Sequence, residues 1–279
     1  MPRGKLQTIP LVGGERLPQQ ESASLPLLTI RDVSVAFGGI RALDGISFDL
    51  HRGQVLGLIG PNGAGKTTLF NCLSRLYTPT SGDILFEGKS ILGRAASRMA
   101  EIGIGRTFQN LASFSRLSVR DNIRVGAHCR SRTDMLSDGL RLPWMRRAER
   151  RIDGIVDELI AYLELRSVAD LPMAGLPFGT LKRAEMARAL AIHPKLLLLD
   201  EPAGGLNHDE IGELGRLIRR IRDERAVTVL LVEHHMNLVM SVSDRVVVLN
   251  FGRKISEGDP AGVQANPEVI RAYLGSGRA

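Results

Sequence analysis

Gly60, Pro61, Asn62, Gly63, Ala64, Gly65, Lys66, Thr67 and Thr68 run consecutively and fit G-x-x-x-x-G-K-[ST], a loop that holds phosphate. Glycines at 60, 63 and 65 let the backbone curl with its N–H groups inward. Those amides, with the start of a following helix, attract anionic phosphate. Lys66 can reach the β- and γ-phosphates, and the Thr67 hydroxyl can ligate Mg²⁺. Further along, the four leucines Leu196–Leu199 end in Asp200-Glu201-Pro202. An Asp at the carboxyl end of a buried strand can hold Mg²⁺ directly or through water. Glu201 then faces the place from which water would attack the γ-phosphate, which suits general-base or polarising work. A third polar group, Glu233-His234-His235, also ends an apolar run. A histidine there can reach the γ-phosphate and sense its presence.

These groups need elements to position them, and the hydropathy pattern supplies them. Val55–Ile59 reads as a buried strand entering the loop, and Leu69, Cys72, Leu73 and Leu76 follow at helical spacing. Leu28–Phe37 alternates like a strand before Gly38-Gly39, and Ile46–Leu50 is a second strand before the turn at 51–53. Asp83–Glu87 and Ile102–Gly105 are short strand-like pieces. Helical pattern dominates from about 119 to 192, broken around Pro143 and 171–179, with Ile152, Ile155, Val156, Leu159, Ile160 and Leu163 on one face. Leu196–Leu199 and Val227–Val232 are parallel-type strands flanking an amphipathic helix marked by Ile211, Leu214, Leu217, Ile218 and Ile221. Arg245–Leu249 and Arg253–Ser256 predict a final hairpin. Residues 1–26, with prolines at 2, 10, 18 and 26, read as a flexible N-terminal tail. The expected organisation is an α/β domain over 27–256 with a helical subdomain inserted at about 110–180, then a helical extension over 257–279.

Composition narrows the class. The chain has 279 residues, of which 43% are hydrophobic, enough for a sizeable core. Its net charge of +7 suits nucleic acid, anionic lipid or nucleotide and does not choose between them. Cys72 and Cys129 make no disulfide framework, so reducing cytosol is the natural compartment, with Cys72 a small core residue. No apolar stretch approaches the roughly 18 residues that cross a bilayer. The N-terminus carries Arg3 and Lys5 but no apolar segment, so it does not read as a secretory signal.

The ordered motifs resemble those of the nucleotide-binding subunits of ATP-binding cassette (ABC) transporters, over about residues 28–275. That resemblance implies an α/β fold: a P-loop NTPase core of ABC type with an antiparallel β subdomain and an inserted α-helical subdomain. Lys66 and Thr67 match the Walker A positions, and Asp200 and Glu201 match Walker B and its catalytic carboxylate. Gln109, in Thr107-Phe108-Gln109-Asn110, matches the Q-loop glutamine that links Mg²⁺ and the attacking water to the membrane-domain contact. His234 matches the switch histidine and Phe37 the aromatic residue that stacks on adenine. Gly204-Gly205-Leu206-Asn207 fills the D-loop, with Asn207 replacing the usual Asp. Leu176-Pro177-Phe178-Gly179-Thr180 aligns with the signature motif, usually Leu-Ser-Gly-Gly-Gln, and Ala187–Ala191 fixes that register. Pro177 replaces the serine that touches the γ-phosphate of ATP held by the opposite subunit, and Phe178 and Thr180 also depart. What remains is Gly179 and a helix start near Thr180, whose amides favour an anion. Either these suffice, or this half-site is degenerate and pairs with a better one on a different partner.

The resemblance further implies ATP and Mg²⁺ as ligands and a subunit peripheral to the cytoplasmic face of the inner membrane. Its partners would be a second ABC ATPase subunit, a paralogue or another copy, two transmembrane permeases and, indirectly, a periplasmic solute-binding protein; no nucleic acid is expected. Arg106–Asn110, the arginine-rich stretch at 128–151 around Pro143-Trp144, Phe178, the run Glu201–Asn207, Met236 after His234 and the C-terminal Asn266–Gly275 are similar to the larger ATP-binding subunit of branched-chain amino-acid uptake systems. Importers of urea or short-chain amides use near-identical subunits, and so does lipopolysaccharide export, whose subunit is shorter at 128–151. A soluble cassette ATPase acting on nucleic acid or ribosomes is opposed by the single cassette and the lack of coiled coil or nucleic-acid module. A phosphate-transferring enzyme such as a kinase leaves the signature helix unexplained.

Overall fold

The computed structural model of the chain describes residues 25–107, 115–129 and 143–275. Gln109, most of the 1–26 segment and the stretch 130–142 lie outside the described residues. Among the described residues ten strands form two sheets: β1 (Leu28–Phe37), β2 (Ile40–Leu50), β3 (Val55–Ile59), β4 (Ser81–Phe86), β5 (Lys89–Ser90), β6 (Ile104–Arg106), β7 (Leu196–Asp200), β8 (Thr228–Val232), β9 (Arg245–Asn250) and β10 (Arg253–Gly258). An antiparallel sheet runs β2-β1-β4-β5, and the second sheet runs β10-β9-β3-β8-β7-β6. In the second, neighbouring strands from β9 to β6 pair in parallel, and β10 closes the edge as the antiparallel arm of the hairpin.

Every residue of β3, β7 and β8 is buried, as parallel strands covered on both faces require. Alternation within each strand divides the interior. Leu56, Leu58, Leu198, Leu230 and Val232 face a core shared with the antiparallel sheet and Leu69, Phe70 and Leu73 of the helix Lys66–Leu73. Val55, Ile59, Leu197, Leu199, Val229 and Leu231 face the opposite core, which takes in the helices Val119–His128, Pro143–Tyr162, Phe178–Leu190, His208–Arg225 and Met236–Val242. Burying one Leu of this kind stabilises by about 1.5–3 kcal/mol relative to its exposure. Cys72 sits inside, and burial pushes its thiol up to about 11.

Several local expectations shift. Leu76 is not on the first helix: that helix ends at Leu73, Arg75 adopts a left-handed φ of 59°, and Leu76 is left exposed. Ile102 closes a helical turn, Met99–Ile102, so the strand after it is Ile104–Arg106. Pro143 lies in the helix Pro143–Tyr162, so the helical pattern is not broken there. β2 starts at Ile40, earlier than the expected Ile46, and β10 runs to Gly258, past the expected boundary at 256. The helices Pro260–Ala265 and Pro267–Gly275 follow, and their Val263 and Val269 are buried in the same core as the long helices. No helix among the described residues is long and apolar enough to cross a membrane.

Candidate nucleotide site

Topology assembles the site. β3, β8, β7 and β6 lie side by side and parallel, so their carboxyl ends share one edge. Leu58 pairs with Val232 and Asp200 pairs with Val232, which puts the three strand ends at one level. The phosphate loop leaves β3, His234 follows β8, Glu201 follows β7, and Thr107 follows β6. Residues far apart in sequence thus meet at the edge where open α/β sheets bind ligands.

The loop itself is tightly seated. A β-carbon at Gly60 (φ 154°) would come within 2.2 Å of the Leu249 carbonyl oxygen. One at Gly65 (φ 102°) would sit 2.7 Å from Leu43 and 2.8 Å from the Ala42 carbonyl, so β2 packs directly on the loop. Only glycine fits at both positions. The Gly252 amide donates to the Ala64 carbonyl at 3.1 Å, tying the β9–β10 turn to the same loop. Lys66 is buried, and its Nζ donates to the carbonyl oxygens of Gly60 (2.7 Å) and Pro61 (3.1 Å). Burial holds its pKa below the usual lysine value, and the Glu201 charge pulls in the other direction. Thr67 is exposed in the helix's first turn. Phe37 is half exposed at the end of β1, with Tyr77 edge-on to it at 5.3 Å, so the aromatic surface has a second member that sequence reasoning missed.

Asp200 ends β7 with its side chain 1% exposed. Its Oδ2 accepts from Arg106 Nη2 at 2.7 Å. Its Oδ1 is buried and has no hydrogen-bond partner among the described residues. A buried carboxyl oxygen left unpaired is costly unless something absent here engages it. Hard oxygen donors are what Mg²⁺ takes, so Asp200 Oδ1 and the Thr67 hydroxyl fit that ion. Glu201 adopts a left-handed φ of 46°, uncommon outside glycine and a form of strain that clusters at functional sites. Its N–H donates to Val232 O at 2.9 Å, locking the turn onto β8.

Glu233, unremarked in the sequence beyond its place beside His234, is fully buried and organises the neighbouring loops. Its Oε1 accepts from the Ala203 amide (2.7 Å), and its Oε2 accepts from the amides of His234 (2.9 Å) and His235 (3.1 Å). One side chain therefore joins the turn after β7 to the turn after β8. It leaves the His234 side chain 54% exposed at the site edge, its ring 4.4 Å from that of His235.

The residues aligned with the signature and D-loop lie together. Pro177 is the N-cap of the helix Phe178–Leu190 and offers it no side-chain hydrogen bond, so the helix starts at Phe178, ahead of Thr180. The Phe178 ring lies so close to Gly205 that a β-carbon there would come within 3.1 Å of it. Asn207 caps the helix His208–Arg225 in a reciprocal box: its side chain accepts from Glu210 N at 3.0 Å, and its N–H donates to Glu210 Oε2 at 2.8 Å. Asn and Asp serve equally as such a cap, which accounts for Asn207 locally. Pro177, Gly179, Thr180, Leu206 and Glu210 help line a cleft of about 620 Å³ that includes no phosphate-loop residue. The structure thus brings Lys66, Thr67, Asp200, Glu201 and His234 to one edge, while Pro177, Gly179 and Thr180 line the cleft beside the D-loop.

Known proteins match this arrangement. The family described as "ABC transporter" matches residues 43–204, and "Branched-chain amino acid ATP-binding cassette transporter" matches residues 253–279. The chain is 40% identical over 252 residues to the high-affinity branched-chain amino acid transport ATP-binding protein BraF of Pseudomonas aeruginosa, covering 90% of this chain and 99% of that protein. It is 40% identical over 255 residues to the corresponding protein LivG of Escherichia coli K12, with the same coverage. The crystal structure of the ADP conformation of MJ1267, an ATP-binding cassette of an ABC transporter, superposes with a TM-score of 0.77 at 27% identity, covering 90% of this chain and all of that one. A phosphate loop, a carboxylate pair and a histidine at one sheet edge, with these matches along the chain, make the conclusion plain: this chain belongs to the ABC transporter family, as an ATP-binding, ATP-hydrolysing subunit related to BraF and LivG.

Proposed function

We propose that the chain drives uptake of branched-chain amino acids, as one of two ATPase subunits attached to two permease subunits on the cytoplasmic face of the inner membrane. The observation that carries the solute is the match of residues 253–279 to the branched-chain amino acid family, supported by the identity to BraF and LivG. A periplasmic solute-binding protein would deliver the cargo, and the ATPase never touches it.

At the sheet edge the phosphate-loop amides and Lys66 hold the β- and γ-phosphates, and Phe37 takes the adenine face. Asp200 and Thr67 would hold Mg²⁺, with Gln109 as the third residue assigned to it. When bound, that ion neutralises charge on the phosphate oxygens. Glu201 accepts a proton from the attacking water, and His234 senses the γ-phosphate. The surface at 177–180 contacts ATP held by a second ATPase subunit facing it head to tail, with Leu206 and Asn207 of the D-loop beside it. Closing on ATP and reopening after hydrolysis shifts the population of the pair and does the mechanical work.

Uptake tests the solute directly. In a strain lacking this chain, uptake of labelled leucine, isoleucine and valine falls to background while urea and short-chain amide uptake is unchanged. Loss of urea or amide uptake with leucine intact assigns the chain to those importers instead. The signature reading gives a second expectation. Pro177→Ser supplies the missing N-cap acceptor, worth about 1 kcal/mol of helix stability, and changes the turnover of the assembled transporter by less than about tenfold, since each 1.4 kcal/mol is tenfold in rate. A larger change, read in reconstituted vesicles, means that the residue at 177 itself contacts the nucleotide.

A further inference from the structure

We infer that Arg106 is the positioning residue of the metal-bearing carboxylate: it clamps one oxygen of Asp200 and so fixes the other, the one that Mg²⁺ would use. The inference rests on the proposal that Asp200 holds Mg²⁺. An aspartate carboxyl group rotates in a broad, roughly two-fold well about its last bond, so its direction must come from its neighbours. Here Oδ2 is held by Arg106 Nη2 at 2.7 Å, and Oδ1 is buried with no partner among the described residues. Arg106 is itself held. Its side chain is 12% exposed, its Nη1 donates to Asn71 Oδ1 at 3.0 Å and to Ser74 Oγ at 2.8 Å, and its guanidinium lies 5.7 Å from the Phe70 ring centre.

Asn71 and Phe70 belong to the helix that opens with Lys66 and Thr67, and Ser74 caps it. One guanidinium therefore fixes Asp200 against the same helix that carries the phosphate-binding lysine and threonine. A planar fork with several donors can do this, and an ammonium, a single point of charge, cannot. The strand pairing agrees: Arg106 sits beside Leu198 in β6–β7, and the next residue, Thr107, lies near the Asp200 amide, 3.4 Å from its Oγ1.

The opposite effect is the rival. Arg106 is a cation next to a cation site, and simple repulsion would make its removal tighten metal binding. The sign decides between the two. The measurement is Mn²⁺ binding by electron paramagnetic resonance, on the full chain with a non-hydrolysable ATP analogue. Removing a residue that orients a metal ligand typically weakens the metal about 10–100-fold, so Arg106→Gln is expected to weaken Mn²⁺ roughly tenfold. Arg106→Lys, which keeps the charge but not the fork, is expected to fail to restore it. Should Arg106→Gln fold poorly, Asn71→Ala, which removes one of the two acceptors of Arg106 Nη1 and leaves Ser74, is expected to weaken Mn²⁺ in the same direction by about 2–3-fold, the low end of losing one hydrogen bond. In an Asp200→Asn background the Arg106→Gln change should have no further effect, because Arg106 acts through that carboxyl group. Weaker Mn²⁺ binding that disappears in the Asp200→Asn background supports the inference. Unchanged or tighter binding in Arg106→Gln, or full rescue by Lys, overturns it. Should Asp200→Asn alone leave Mn²⁺ binding intact, the Mg²⁺ assignment of Asp200 fails, and the inference falls with it.

Discussion

Glu201→Gln is expected to lower ATP turnover at least about 100-fold, the lower end of what a positioned general base contributes, while ATP binding changes by less than about threefold, under 1 kcal/mol. Gln has nearly the same shape and meets the same backbone requirement at φ 46°. Its amide cannot take a proton from water. The contacts that hold the phosphate loop lie elsewhere: Lys66 to Gly60 and Pro61, and Gly252 to Ala64. The substitution also removes the charge that counters the effect of burial on Lys66, so the lysine pKa falls further. Single-turnover hydrolysis beside equilibrium nucleotide binding separates the two quantities. A variant hydrolysing at near wild-type rate would remove Glu201 from its role, and lost binding would make it a structural residue.

Glu233→Ala is expected to be the most damaging change at the site for stability. It removes the acceptor of the buried Ala203 amide and of the part-buried amides of His234 and His235. At 1–3 kcal/mol for each unsatisfied group, three amides set a range of roughly 3–9 kcal/mol, and the partial burial of the His234 and His235 amides places the loss in its lower half. For a protein of this size that corresponds to a fall in Tm on the order of 10 °C. Activity falls with it, because the turns after β7 and β8 are held to one another through this side chain. Thermal melting of the variant checks the first effect. Hydrolysis measured well below its Tm checks the second. A melting point within about 2 °C of wild type, under 1 kcal/mol, means that water replaces the carboxyl oxygens and that the loops keep their places without it.

Much of the fold was legible because burial leaves a period in the chain. β1 and the β9–β10 hairpin follow from alternation and a turn, and β3, β7 and β8 follow from unbroken apolar runs. The long helix shows its stripe from Ile152 onward, but the helical state of Pro143 does not show, because proline in a helix and proline at a break are the same letter. Leu76 was misplaced for a related reason. Helical spacing continues into 76, whereas the helix ends where Arg75 turns left-handed, and that is decided by backbone geometry. The site was legible where local sequence imposes the chemistry: the glycines and Lys66 of the phosphate loop, and the carboxylates at the end of an apolar strand. Glu233, Arg106 and Tyr77 were not, because each matters through a neighbour distant in the chain.

By itself, the sequence determined that the chain cradles phosphate after a buried strand, that two carboxylates and a histidine end two more, and that the whole resembles an ABC transporter ATPase. Those are local facts, set by residue type and spacing. Only the tertiary structure decided that β3, β8, β7 and β6 lie side by side with their carboxyl ends level, since strand order depends on long-range pairing that no short window encodes. That order makes Glu233 the common anchor of two loops and sets Arg106 between Asp200 and the helix of Lys66. It also leaves the surface at 177–180 in a cleft without phosphate-loop residues. A buried polar group must find its partners in three dimensions, and its identity alone does not name them.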